Sequence, residues 1–215
     1  IGAGAFMGCT SLEKINFHGN CNITEIGDDA FYLCSSLKEF KISGSVKKIG
    51  SGAFRDCSSI SLDFSQATSL ESVGSYAFAG CATASGNKFT VEIPASLTEI
   101  GYGAFYGCTG ITGFWVDNVN SVFSSADGVL YSDGGKTLEM FPTASSAIND
   151  GTFTVPSGVE KIGGGAFAGS EIEKLIISDG VKEIGGNAFY SCKKLTEVTL
   201  PESLSSLGSY AFLDC

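Results

Sequence analysis

The chain has no run of about 18 consecutive apolar residues, the length a helix needs to cross a bilayer, so a helical membrane span is excluded. Positive charge is scarce: 13 Lys and Arg stand against 23 Asp and Glu, a net charge of −10. A phosphate backbone or an anionic bilayer repels such a surface, and the expectation is of no nucleic-acid partner and no membrane insertion. Histidine occurs once, at His18, and no C-x-x-C pair exists, so a structural zinc site lacks its ligands and Ser-His-Asp chemistry would rest wholly on His18. Gly134-Gly135-Lys136-Thr137 fails as a phosphate loop, because Leu130 stands where the leading glycine belongs. The runs such as Gly101-Tyr102-Gly103 lack the third glycine of a dinucleotide site. No catalytic residue, metal or cofactor is expected. What remains is 43% apolar and 17% charged, a balance that demands a packed core and excludes disorder.

One motif fills that core. Ala-Phe begins at positions 5, 30, 53, 77, 104, 166, 188 and 211, at intervals of 25, 23, 24, 27, 62, 22 and 23. The surrounding residues recur with it, in EIGDDAFYLCSSLKEFKIS, KIGSGAFRDCSSI, EIGYGAFYGCTGITGFWV and EIGGNAFYSCKKLTEVTLP. The unit reads I-G-x-x-A-F-x-x-C-x-x-L-x-x-hydrophobic-x-hydrophobic. Its last three apolar positions, as in Leu37 to Ile42 or Leu195 to Leu200, end in the two-residue alternation of a strand. Polar residues with Pro94, Pro156, Pro201, Gly44 or Gly180 then turn the chain. In the Ala-Phe segment, Phe and the residue three further on can share one helical face, which predicts a single helical turn.

A unit of about 23 residues cannot bury its own apolar face, whereas a stack of such units can. The expected architecture is therefore a solenoid: parallel strands about 4.8 Å apart, an internal column of Phe6, Phe31, Phe54, Phe78, Phe105, Phe167, Phe189 and Phe212, and glycine at each Ile-Gly corner where a side chain would hinder the backbone. Seven of the eight cysteines (Cys9, Cys34, Cys57, Cys81, Cys108, Cys192 and Cys215) stand three residues after a repeat Phe. In-register neighbours project parallel Cβ atoms about 4.8 Å apart, whereas a disulfide wants them near 3.8 Å and convergent. Buried free thiols are expected there, while Cys21, in a polar corner, stands apart as a thiol of undecided reactivity.

The motif resembles the BspA-type leucine-rich repeat family over essentially the whole chain. The resemblance implies an α/β solenoid, a right-handed leucine-rich-repeat superhelix with a parallel sheet on its concave face and short helical turns or irregular segments on its convex face. It also implies an extracellular or cell-surface location and adhesion to host or microbial surfaces, and it carries no active-site residue across. The reading is one domain over 1–215, with termini that cut a repeat and leave open-ended coils. The 62-residue interval omits an Ala-Phe, and the alternating runs either side of Ser132-Asp133-Gly134-Gly135 predict a hairpin-like insertion at about 128–142. A smaller polar insertion covers 82–88.

Function is sought on the outward-pointing strand positions, which a repeat scaffold leaves to vary. The candidates are Asn16, His18, Lys41, Asp63, Glu92, Trp115, Asp117, Ile176 and Thr199. Trp115, the single tryptophan, falls between the inward slots of Phe114 and Val116. It is either an exposed binding hot spot or a ring packed beneath the hairpin. The expected function is a non-enzymatic binding or adhesion module that recognises a protein or glycan, such as a host extracellular-matrix or microbial surface ligand, through the concave sheet and the insertion. A carbohydrate-active enzyme on a parallel solenoid and a structural stalk are the alternatives.

Overall fold

A computed structural model describes residues 1–17, 22–81, 88–145, 148 and 150–215. His18, Cys21 and most of the 82–88 insertion lie outside the described residues. The chain divides into two compact units, the first Ile1–Gly110 with Val116–Ser121 and the second Ile111–Trp115 with Val122–Cys215. The first contains β1 (Glu25–Ile26), β2 (Glu39–Lys41), β3 (Lys48–Ile49), β4 (Ser61–Asp63), β5 (Ser72–Val73), β6 (Phe89–Ile93) and β7 (Glu99–Ile100). After β8 (Ile111–Val116), the second contains β9 (Ser124–Ala126), β10 (Val129–Ser132), β11 (Thr137–Met140), β12 (Thr152–Val155), β13 (Lys161–Ile162), β14 (Lys174–Ile177), β15 (Glu183–Ile184), β16 (Glu197–Thr199) and β17 (Ser206–Leu207).

Each coil supplies a strand to two different rows. In the first unit the Ile-Gly strands pair in parallel as β1-β3-β5-β7, and the leucine-motif strands β2 and β4 pair in a second row. In the second unit β11, β13, β15 and β17 form the Ile-Gly row, and β12, β14 and β16 form the leucine row. Strand alternation decides what is buried: Phe40 is inside between the exposed Glu39 and Lys41, and its register partner is Leu62. In the second unit Leu175 is aligned between Phe153 and Val198.

The Ala-Phe segments are turns, and here the expectation of an α/β solenoid with helical turns is overturned. Among the described residues the one helical element is a three-residue 3-10 turn at Asp133–Gly135. The reason lies in where the backbone N–H groups go. Those of Asp29, Phe31 and Leu33 donate to the next coil, to Ser51 O, Ala53 O and Arg55 O at 2.8, 2.7 and 2.9 Å. Those of Ala30, Tyr32 and Cys34 turn back within the coil, to Gly27 O, Asp29 O and Phe31 O at 3.3, 3.1 and 3.0 Å. An α-helix would turn successive donors back along its own axis to the carbonyl four residues earlier, whereas here every second donor is sent to the next coil. The alternation needs left-handed backbone twice per coil, at Asp29 (φ 51°) and Leu33 (φ 62°) in one and at Gly52 (φ 63°) and Asp56 (φ 59°) in the next.

The rings stack as a column within each unit. Phe6, Phe31, Phe54, Phe78 and Phe105 lie 5.0, 5.0, 5.4 and 5.3 Å apart in the first, all within 14° of parallel. In the second, Phe141, Phe167, Phe189 and Phe212 lie 4.9, 4.8 and 4.8 Å apart. Phe141 belongs to no Ala-Phe pair, yet its N–H donates to Ala166 O at 2.8 Å, the bond that Phe167 makes to Ala188 at 2.7 Å. It gets there through the hairpin. Antiparallel to β10, β11 also runs parallel to β13 with Leu138 opposite Ile162, so the returning arm of the hairpin acts as a coil of the Ile-Gly row.

Close stacking explains the corner glycines better than backbone shape does. A Cβ on Gly74 would lie 2.5 Å from Ser51 N and 2.6 Å from Gly50 C, although Gly74 has no positive φ. Neighbouring coils therefore approach more closely than any side chain allows. Gly74→Ala should lower the unfolding free energy by about 1–3 kcal/mol, measured by urea denaturation. At Gly2, the same motif position with nothing within 4 Å, alanine should change it by less than about 0.5 kcal/mol.

Candidate binding surface

Outward positions on the leucine strands follow directly from the alternation. In the first unit Lys14 bridges to Glu39 in parallel register, which sets Asn16 beside Lys41, and Lys41 is in turn the partner of Asp63. Asn16 and Lys41 are exposed, and with Lys14, Phe17, Glu39 and Phe40 they line a groove of about 310 Å³. The Lys14–Glu39 ion pair at 3.3 Å crosses it, and Phe17 meets Phe40 edge to face at 5.9 Å. Glu92 is exposed on β6, and Asp117 is exposed with Oδ1 accepting the Val119 N–H at 3.0 Å. His18 and the side chain of Asp63 lie outside the described residues.

In the second unit Trp115 is 68% exposed, so its ring points to solvent. Ile176 sits in register between Thr154 and Thr199, and both Ile176 and Thr199 are exposed. The candidates thus form two short rows, Asn16–Lys41–Asp63 and Ile176–Thr199, carried by different units.

Charge on these surfaces is organised by the repeat. Lysines pair with carboxylates one coil away, as in Lys48–Glu25 (3.2 Å), Lys161–Glu183 (2.9 Å), Lys174–Glu197 (3.2 Å) and Lys193–Asp214. Among the described residues only Lys41 and Lys88 lack such a lysine–carboxylate pair. Glu160 takes two, Lys136 at 3.0 Å and Lys182 at 2.7 Å, and hydrogen bonds from Lys182 and Lys136 hold its carboxyl at about 2. Such exposed pairs each add little to stability.

Reactive chemistry is muted. Cys34, Cys57, Cys81, Cys108 and Cys192 are buried free thiols, and Cys9 and Cys215 are exposed ones. Each coil's thiol donates to the Phe carbonyl of the coil before, Cys57 to Phe31 O at 3.1 Å and Cys81 to Phe54 O at 2.9 Å. Burial pushes Cys34 and Cys192 up to about 11 and Cys108 to about 12, so these thiols are not nucleophiles at neutral pH. The carboxyls of Glu13, Glu160 and Asp214 are all lowered, in each case first by a lysine hydrogen bond, whereas a general acid needs a raised one. The described residues hold no cluster of three or more His, Cys, Asp or Glu that could take a metal ion.

Reading the strands alone passes over the turn face of the first unit. There the residue after the repeat Phe is Tyr32, Arg55 and Tyr106 in three coils, and Tyr76 precedes the repeat Ala in another. The sequence signal was present: four of seven tyrosines and the single arginine gather within one stretch, Tyr102 included.

A model of the BspA type leucine rich repeat region matches residues 1–126 and 144–215 in six copies. The chain is similar to the pneumococcal vaccine antigen PcpA, at 28% identity and a TM-score of 0.74 over 85% of this chain and 44% of that one. A leucine rich cell surface protein from Faecalibacterium prausnitzii is similar at 27% identity and a TM-score of 0.83 over 99% of this chain and 54% of that one. A leucine-rich repeat protein from Eubacterium ventriosum follows at 26% and 0.68, over 88% and 54%. The chain spans about half the length of these solved proteins. No curated protein matches the sequence.

The pairing of Glu160 has a pH signature. Its folded pKa of about 2 lies below the ordinary 4.5, so its stabilisation is full above pH 4.5 and is lost as the pH falls toward 2. Glu160→Gln should flatten the fall in melting temperature across that window and leave the slope above pH 5 unchanged, as read by thermal scans from pH 7 to 2.

Proposed function

The chain belongs to the BspA-type leucine-rich repeat family, and on that premise we propose that it is a non-enzymatic binding module of a cell-surface or secreted protein. The ligand is a protein or glycan engaged by the outward rows of the leucine strands. One observation carries the reading. The same motif slot holds Asn16, Lys41, Asp63 and Glu92 in successive coils, while the inward slots stay Phe, Leu, Ile or Val. A scaffold position under packing constraint keeps one chemistry, and a recognition position is free to change. The named relatives support the surface assignment, one being a vaccine antigen and another a cell surface protein. The exposed Trp115 supplies the kind of rigid aromatic that dominates interface energetics.

The test is an array of glycans and extracellular-matrix proteins probed with the purified chain, repeated with Trp115→Ala and, separately, Lys41→Ala. At least one variant should lose about tenfold or more in affinity for the ligand found, the scale of a truncated hot spot. Binding that survives both substitutions unchanged overturns the assignment to the leucine-strand face.

A further inference from the structure

The turn face of the first unit carries a second, chemically distinct patch. The Arg55 guanidinium lies over two tyrosine rings, 5.5 Å from the centroid of Tyr32 and 5.8 Å from that of Tyr76, and its Nε is 3.7 Å from Asp56 Oδ2. The Tyr76 ring continues the cluster edge to face with Tyr102 at 5.5 Å and with Tyr106 at 6.3 Å. It rests on Gly103, where a Cβ would come 2.8 Å from Tyr76 Cε1. Tyr102, at the far end, is 40% exposed.

The scaffold does not require these rings. The slot after the repeat Phe holds Ala79 and Ala168 in other coils, and the coil-to-coil bonds there are the same: Phe78 N–H donates to Ala104 O and Phe167 N–H to Ala188 O, both at 2.7 Å. Tyrosine and arginine are, with tryptophan, enriched where interfaces concentrate their energy. Around the patch the field is negative. Its one cation already faces Asp56, the carboxylates of Asp29 and Asp56 lie across the glycines of the following coils, and the whole chain carries −10.

We propose that this tyrosine patch is a docking site for an arginine-bearing segment of a partner protein, whose guanidinium stacks on Tyr102 and extends the arrangement that Arg55 already makes with Tyr32 and Tyr76. Arginine fits better than lysine because a planar guanidinium stacks on a ring face while an ammonium stays hydrated. The bordering carboxylates draw the cationic segment in and hold its remaining donors. The site is built from turn residues of the first unit and shares no residue with the leucine-strand candidates.

The probe is fluorescein-labelled hexa-arginine, titrated by anisotropy at low ionic strength against the native chain and against Tyr102→Ser and Tyr102→Phe. These substitutions leave the net charge unchanged, so the general attraction of an acidic protein for a cationic peptide is constant. Tyr102→Ser should weaken binding about fivefold, the scale of one partly desolvated cation–π contact. Tyr102→Phe should bind as the native chain does, and hexa-lysine should bind the native chain and Tyr102→Ser alike. Equal hexa-arginine affinity for Tyr102→Ser and the native chain overturns the proposal, as does an equal loss in Tyr102→Phe. A neutral hexasaccharide that binds the native chain and not Tyr102→Ser, with hexa-arginine unaffected, overturns it in favour of a glycan. Failure of this site leaves the leucine-strand reading standing, since that rests on Trp115 and Lys41.

Discussion

Neighbouring coils approach until their backbones touch, and the remaining features of each unit are consequences of that distance. At the Ile-Gly corner no side chain separates them, as the 2.5 Å between a hypothetical Gly74 Cβ and Ser51 N shows. The repeat phenylalanines then fall at 4.8 to 5.4 Å, the separation at which parallel rings pack without a gap. The same distance lets every second N–H of the Ala-Phe turn reach the next coil. A buried cysteine completes the arrangement. Its thiol is small enough for the space and still donates to a Phe carbonyl, which also accepts a backbone N–H.

Surface charge follows the same geometry. A residue and its counterpart one coil on lie side by side, so Lys14–Glu39 and Lys174–Glu197 are the same pairing written twice. Because the lysines are largely spent in this way, the excess of carboxylates is left to face solvent. That excess gives the chain its net charge of −10 and a surface field of one sign. Against such a background Trp115 and the tyrosine cluster offer exposed aromatic contact.

Much of this was legible before any coordinates. The period, the ring column and the free thiols could be read because each is a side-chain pattern that repeats with the chain: Phe31, Cys34 and Leu37 recur in place coil after coil. The outward direction of Trp115 was legible from strand alternation. The turns were not. Ala30, Phe31 and Cys34 have the spacing of a helical face, and only the backbone reveals that Asp29 and Leu33 are left-handed and that half the donors leave the coil. Phe141 was hidden for a related reason, since it reaches the column through an antiparallel hairpin and carries none of the Ala-Phe motif. The tyrosine cluster escaped a strand-based reading because its members occupy different motif positions and meet only across coils.

The central claim is that coil-to-coil hydrogen bonds at the repeat phenylalanines, held at contact distance by the glycine corners, are the most stable element of each unit. Native-state amide hydrogen exchange resolved by residue tests it most directly. The amides of Phe54, bonded to Ala77 O, and of Phe167, bonded to Ala188 O, should exchange only through global unfolding and share one free energy with the other repeat phenylalanines of their unit. Exchange of these amides through local openings, at rates like those of the exposed residues 117–119, would contradict the account.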